Sequence, residues 1–151
     1  MPIKVSVQGA AQTANSIGKI PQDLKRGMVE AMNISLRDVQ EEARREHRFT
    51  TRTGEAERSI ESSGAKISGT TVSGEVGTTR QITVYLHEGT KPHMIVPRSK
   101  RVLRWATGSQ FAFARRVHHP GTKADPFIYD ALANNEAAIV RRFDDVIARL
   151  R

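Results

Sequence analysis

Residues 21–47 read PQDLKRGMVEAMNISLRDVQEEARREH, and the spacing of their apolar side chains decides the fold class. Leu24, Met28, Met32, Leu36, Val39 and Ala43 follow at intervals of four, four, four, three and four, which is one face of an α-helix. Pro21 stands where a first helical turn tolerates it, and Arg44, Arg45 and His47 put positive charge where the C-terminal end of the dipole favours it. A long amphipathic helix running to about Glu46 is expected. Each buried Leu, Met or Val of its stripe contributes on the order of 1.5–3 kcal/mol by transfer.

Upstream, Ile3, Val5 and Val7 alternate with Lys4, Ser6 and Gln8 before Gly9, the period of a half-buried strand. Downstream, the turn formers of Thr50-Thr51-Arg52-Thr53-Gly54 should stop the helix and reverse the chain. Ala65 and Ile67 then alternate with polar neighbours, Ser68-Gly69-Thr70 supplies a turn, and Val72, Gly74 and Val76 share one parity. A further strand is expected at Ile82–Glu88, with Ile82, Val84 and Leu86 on one face and Thr83, Tyr85 and His87 on the other. Asp125-Pro126 reads as a helix opening, Asp as N-cap and Pro at the first helical position. Ile128, Ala131, Leu132, Ile139, Phe143, Ile147 and Leu150 continue it at helical spacing. Strand, long helix, strands, helix is the order of an α+β fold: an antiparallel meander packed by two helices.

At 151 residues the chain is expected to form one domain, 1–151. Its longest apolar runs, Phe111–Ala114 and Ala137–Val140, are far short of the roughly 20 residues of a membrane span. The start, Met-Pro-Ile-Lys-Val-Ser-Val, lacks a basic region followed by an apolar segment, so synthesis in the cytoplasm is expected. The absence of cysteine excludes disulfides, thiolate zinc sites and cysteine nucleophiles together.

Lys and Arg number 24 against 16 Asp and Glu, a net charge of +8. No acidic residue lies between Glu88 and Asp125, whereas Lys91, Arg98, Lys100, Arg101, Arg104, Arg115, Arg116 and Lys123 all do. This segment, the basic arm 91–123, carries the whole excess, and such a concentration points to nucleic acid or an acidic protein surface, or to a solvated loop. Pro92 and Pro97 interrupt it. Beyond them a hairpin is expected, with Leu103 and Trp105 in one arm, Thr107-Gly108-Ser109-Gln110 as connection, and Phe111, Phe113 and Val117 in the other. Counting parity along each arm puts the aromatics on a buried underside and Arg104 and Arg116 on a basic top, an arrangement that argues against base stacking. A disordered arm that folds on a partner has the same composition.

Few side chains are spaced for catalysis. His87 and Glu88, as strand neighbours, would face opposite ways. His93, His118 and His119 lack ligand spacing such as HExxH, and no acid lies near them. Gly89-Thr90-Lys91 and Gly121-Thr122-Lys123 have the wrong order for a phosphate loop, which needs Gly-Lys followed by Ser or Thr. No catalytic, cofactor-binding or metal-binding residue is expected, and no cofactor. A small nuclease would need a general base among His118, His119 and Glu88.

Three stretches carry a family resemblance. They are Arg52-Thr53-Gly54 with Arg58-Ser59-Ile60; Val84-Tyr85-Leu86-His87-Glu88-Gly89-Thr90-Lys91-Pro92-His93; and His119-Pro120-Gly121-Thr122-Lys123-Ala124-Asp125-Pro126-Phe127. In this order they resemble the tail-completion or neck protein family of long-tailed bacteriophages, typified by the tenth gene product of a lambdoid phage. Ala56 and Ile128-Tyr129-Asp130 depart from the family pattern. The resemblance implies an Arg-Thr-Gly turn leading into the first meander strand, and turns at Gly89-Thr90 and Pro120-Gly121-Thr122. It implies a structural virion protein without catalytic residues, forming a homohexameric ring at the head–tail junction. Its partners would be copies of itself, the head–tail connector or stopper, the tail terminator or tail tube, and non-specifically the genomic DNA, with no membrane. Arg98, Lys100, Arg101, Arg104, Arg115 and Arg116 would face the lumen or an acidic neighbouring ring. The competing expectation is a stand-alone nucleic-acid-binding domain that uses a basic β-ribbon.

Overall fold

Residues 3–8, 22–69 and 71–149 are described by the structure, a computed structural model. The expected strand stop at Gly9, helix-opening Pro21, Thr70 of the turn, Leu150 and the Val7 side chain lie outside the described residues.

The alternation at the start of the chain forms β1 (Ile3–Gln8), which buries Ile3 and Val5. The long stripe forms α1 (Gln22–Arg45), which buries Met32, Leu36, Val39 and Ala43, with Met28 packed against them. A short helix, α2 (Glu55–Arg58), follows, then β2 (Glu61–Ser62), β3 (Lys66–Ser68) and β4 (Thr71–Thr78). β4 alternates as expected, Val72, Gly74, Val76 and Thr78 inward, whereas Ile67 of β3 is exposed.

The fold is α+β with antiparallel sheets. β4 is the centre of the main sheet: β1 pairs along one side, with Val5 opposite Val76, and β2 and β3 share the other, with Ser62 opposite Val76 and Ile67 opposite Val72. α1 and the closing helix α4 (Phe127–Ala148) pack on each other and on this sheet. Ile128, Ala131, Ile139 and Phe143 join the sheet valines and the α1 stripe in one core, and Ile147 stays partly exposed.

Two expectations are corrected. The segment read as a strand at Ile82–Glu88 is a helix, α3 (Gln81–Glu88), so the meander lacks that member. Thr83, Val84 and His87 are buried while Ile82 and Tyr85 are exposed, an i, i+1, i+4 face instead of an alternating one. The β-branched Ile82-Thr83-Val84 favours a strand locally, but only the helical period buries Val84 together with the Thr83 hydroxyl. That hydroxyl bonds Ser59 Oγ at 2.8 Å. Ser59 also bonds Thr78 Oγ1 at 2.9 Å and donates to the Ala56 carbonyl at 2.7 Å, so one side chain ties α2, β4 and α3 together.

Asp125 likewise does not cap α4: Pro126 holds the N-cap position and no side chain caps the helix. The Asp125 amide faces the Leu86 and His87 carbonyls at 3.2 Å. This fixes the backbone so that its buried carboxylate accepts the Arg48 amide at 2.6 Å, with the Arg48 guanidinium 3.6 Å away. Asp125 thus joins the chain leaving α1 to the entry of α4.

Candidate functional site

The basic arm folds as two ladders in series. The inner one pairs β5 (His93–Ile95) with β8 (Val117–His119), His93 opposite His119. The outer one pairs β6 (Leu103–Thr107) with β7 (Gln110–Ala114) through the two residues Gly108-Ser109, Gly108 at φ +61°. That is the backbone of a two-residue hairpin with glycine first.

The arm closes at its base where two of the motif turns interlock. Thr90 and Thr122 exchange backbone hydrogen bonds of 2.9 and 3.1 Å, and Thr90 Oγ1 also accepts the Thr122 amide at 3.0 Å. Gly89 (φ +76°) and Gly121 (φ +94°) flank this bridge. A Cβ on Gly89 would lie 2.6 Å from the Thr122 carbonyl oxygen, and one on Gly121 would collide with the Thr90 carbonyl. Glycine is required at both positions by conformation and by space. Pro120 sits beside this crossing and is exposed. The His119 Nδ1 accepts the Gly121 amide at 3.0 Å, which places the proton of a neutral ring on Nε2.

The third motif turn is elsewhere. Gly54 takes φ +70° ahead of α2, and the Arg58 guanidinium donates to the Thr53 carbonyl at 2.8 Å. It leads through the single turn of α2 to β2 at Glu61. Among the described residues no hydrogen bond links Arg52, Thr53 or Gly54 to the base of the arm.

The cations gather at a bend between the ladders. Ile95 opposes Val117 in the inner ladder and Leu103 opposes Ala114 in the outer, so residues 96–102 on one side span the gap that Arg115 and Arg116 span on the other. Arg98, Lys100 and Arg101 lie in the longer crossing. Five of the six expected cations therefore form an exposed elbow; the sixth, Arg104, stands just beyond it on β6. None of the six makes an ion pair among the described residues.

The expectation of a buried aromatic underside beneath a basic top is overturned. The register sets Arg104 opposite Phe113 and Ala106 opposite Phe111, and directly opposed residues share a face. Arg104, Phe111 and Phe113 are thus together, with the Arg104 guanidinium 4.4 Å from the Phe111 ring centre. Trp105 lies on the other face with Ala112. A two-residue turn pairs odd positions of one arm with even positions of the other, so parity cannot be carried across it. Nor is either face buried: Trp105, Phe111 and Phe113 are 43%, 56% and 61% exposed. β6 and β7 have no substantial packing partner except each other.

The histidines are divided among separate roles. His93 and His119 stack with centroids 5.0 Å apart, and His93 Nδ1 lies 2.9 Å from the Lys91 carbonyl. His118, adjacent in β8, faces away, as strand neighbours must. His87 is buried against Phe127 and Tyr129, edge to face at 5.2 and 4.6 Å, while Glu88 is exposed. The His87 Nε2 has no hydrogen-bond partner among the described residues, and burial lowers its pKa from the ordinary value. The pattern-based reading missed Gln40 and Arg44, which donate to the Ile60 carbonyl at 2.8 and 2.6 Å, because nothing in local spacing marks such a long-range bond.

Among the described residues, no helix is long and apolar enough to cross a membrane. The chain matches no family model, no curated protein and no solved structure.

Proposed function

We propose that this chain is a structural virion protein of a tailed bacteriophage, a ring-forming subunit at the head–tail junction or tail end that completes the tail, joins it to the head connector and lets DNA pass. It acts by attraction and fit and transforms no substrate. The single observation that carries this reading is the arm: an acid-free segment pinched at its base, its outer hairpin packed on little but itself, with elbow cations that make no ion pair among the described residues. Support also comes from the interlocking of Gly89-Thr90 with Gly121-Thr122, which gives two stretches of the family resemblance one shared structural task.

Cyclic repetition makes a modest charge effective. A homohexameric ring would concentrate six elbows around one axis, facing the genome in the lumen or an acidic neighbouring ring of connector, stopper, terminator or tube subunits. The protein would then reside in the virion after synthesis in the bacterial cytoplasm. Deleting its gene should leave filled heads and tails that fail to join; normal infectious particles would overturn the proposal.

One observation favours a second reading. Phe111 and Phe113 are exposed beside Arg104, so the outer hairpin offers both stacking surfaces and charge, as a stand-alone nucleic-acid-binding domain would need. Tight, steeply salt-dependent binding of the monomer to DNA or RNA would favour it; weak binding accompanied by ring formation favours the first reading.

A further inference from the structure

The outer hairpin is incomplete as a folding unit. Two strands alone are marginal in water, and this pair leaves three large aromatic side chains in solvent. Its chemistry is apolar and cationic, so a covering surface must be apolar and anionic.

The chain carries such a surface. Between α4 and β1 runs a groove of about 430 Å³, floored by Leu132 and Ile139, walled by Ser6, and edged by Tyr129 and Val140, which are 51% and 54% exposed. Glu136 is the carboxylate that lines it. Glu136 makes no ion pair among the described residues, and neither does Arg104. The groove thus presents apolar area with one carboxylate, and the hairpin face apolar area with one guanidinium.

We infer that the β6–β7 hairpin of one copy seats its Arg104, Phe111 and Phe113 face in the α4–β1 groove of a second copy, with Arg104 directed to Glu136. The two surfaces differ, so the contact is head to tail: each copy gives one hairpin and receives another, and the chain of contacts closes into a ring when the rotation permits. The elbow cations stay outside this contact and remain available to a third partner. The inference rests on the ring reading and names the surfaces by which the copies join.

The cysteine-free sequence allows a clean test. Ala106→Cys is made in one batch and Val140→Cys in another that carries a size tag; both positions are exposed, and Ala106 shares the hairpin face of Arg104, Phe111 and Phe113, so the core and those three side chains are kept. The two are mixed at assembly concentration and oxidised. The mixed disulfide should outweigh both homodimers together. Adding Arg104→Glu to the first batch should cut its yield roughly tenfold, and adding Glu136→Arg to the second should restore it. A mixed product no more abundant than the homodimers combined, or a yield indifferent to Arg104→Glu, overturns the inference. Sedimentation velocity of the unaltered protein separates the two readings: a defined oligomer without the mixed disulfide removes this docking mode and leaves the ring, whereas a monomer without it removes both. Quenching of the sole tryptophan, Trp105, by a single-stranded oligonucleotide without any mixed disulfide would assign the hairpin to nucleic acid and overturn the inference.

Discussion

Gly121→Ala should loosen the arm and leave the body of the protein intact. Gly121 sits at φ +94°, where a side chain costs about 1–3 kcal/mol, and its new Cβ would also press on the Thr90 carbonyl of the closing bridge. The penalty falls on the base of the arm, since the Thr90–Thr122 bridge and the β5–β8 ladder must shift while the α1, α4 and β4 core is not touched. If the arm opens as a local unit, amide exchange of β5 and β8 should accelerate by about 5- to 150-fold, the factor that 1–3 kcal/mol implies. Core amides in β4 and α1 should change little. Native-state hydrogen exchange read residue by residue measures both. Equal acceleration in core and arm would show that the arm is not an independent unit; no acceleration would show that the interlocked turns do not hold it.

Leu36→Ala, which empties a fully buried position between α1 and the sheet, should cost about 2–5 kcal/mol in denaturant unfolding, and a loss under 1 kcal/mol would contradict the assigned core. Burial holds the His87 pKa below its ordinary value, with Glu88, Asp125 and Asp130 pulling the other way. The unfolded chain therefore takes up the proton first, so stability should be full above about pH 6.5 and fall as the pH drops below it. His87→Phe keeps the edge-to-face packing and should flatten that decline in pH-dependent thermal melts; an identical acid limb would remove His87 as its source. Replacing Arg98, Lys100 and Arg101 together by Ala should weaken binding to duplex DNA and make its salt dependence shallower by about three in log–log slope. An unchanged slope would mean the elbow does not meet phosphate.

The long periodic segments were legible because many residues repeat one message. Six positions from Leu24 to Ala43 agree on α1, and Val72, Gly74 and Val76 agree on β4. The eight residues of α3 were misread because three consecutive β-branched or apolar side chains fit alternation nearly as well as a helical face, and the choice was made by burial of Thr83 and His87 against distant elements. Asp125 matched a cap motif, but a bond to Arg48, remote in sequence, claimed its carboxylate. The arm itself was plain from its missing acids, whereas its faces depended on the length of the turn at Gly108-Ser109, which reverses parity between the strands. The gathering of cations at an elbow was not readable, since it follows from the unequal crossings between two ladders.

Electron microscopy of the assembled particle, with this subunit located and its arm traced, bears most directly on whether the arm works by contact. The hairpin should lie against a neighbouring copy while the elbow of Arg98, Lys100, Arg101, Arg115 and Arg116 faces DNA or an acidic ring. An arm directed into open solvent, touching neither genome nor protein, would contradict it.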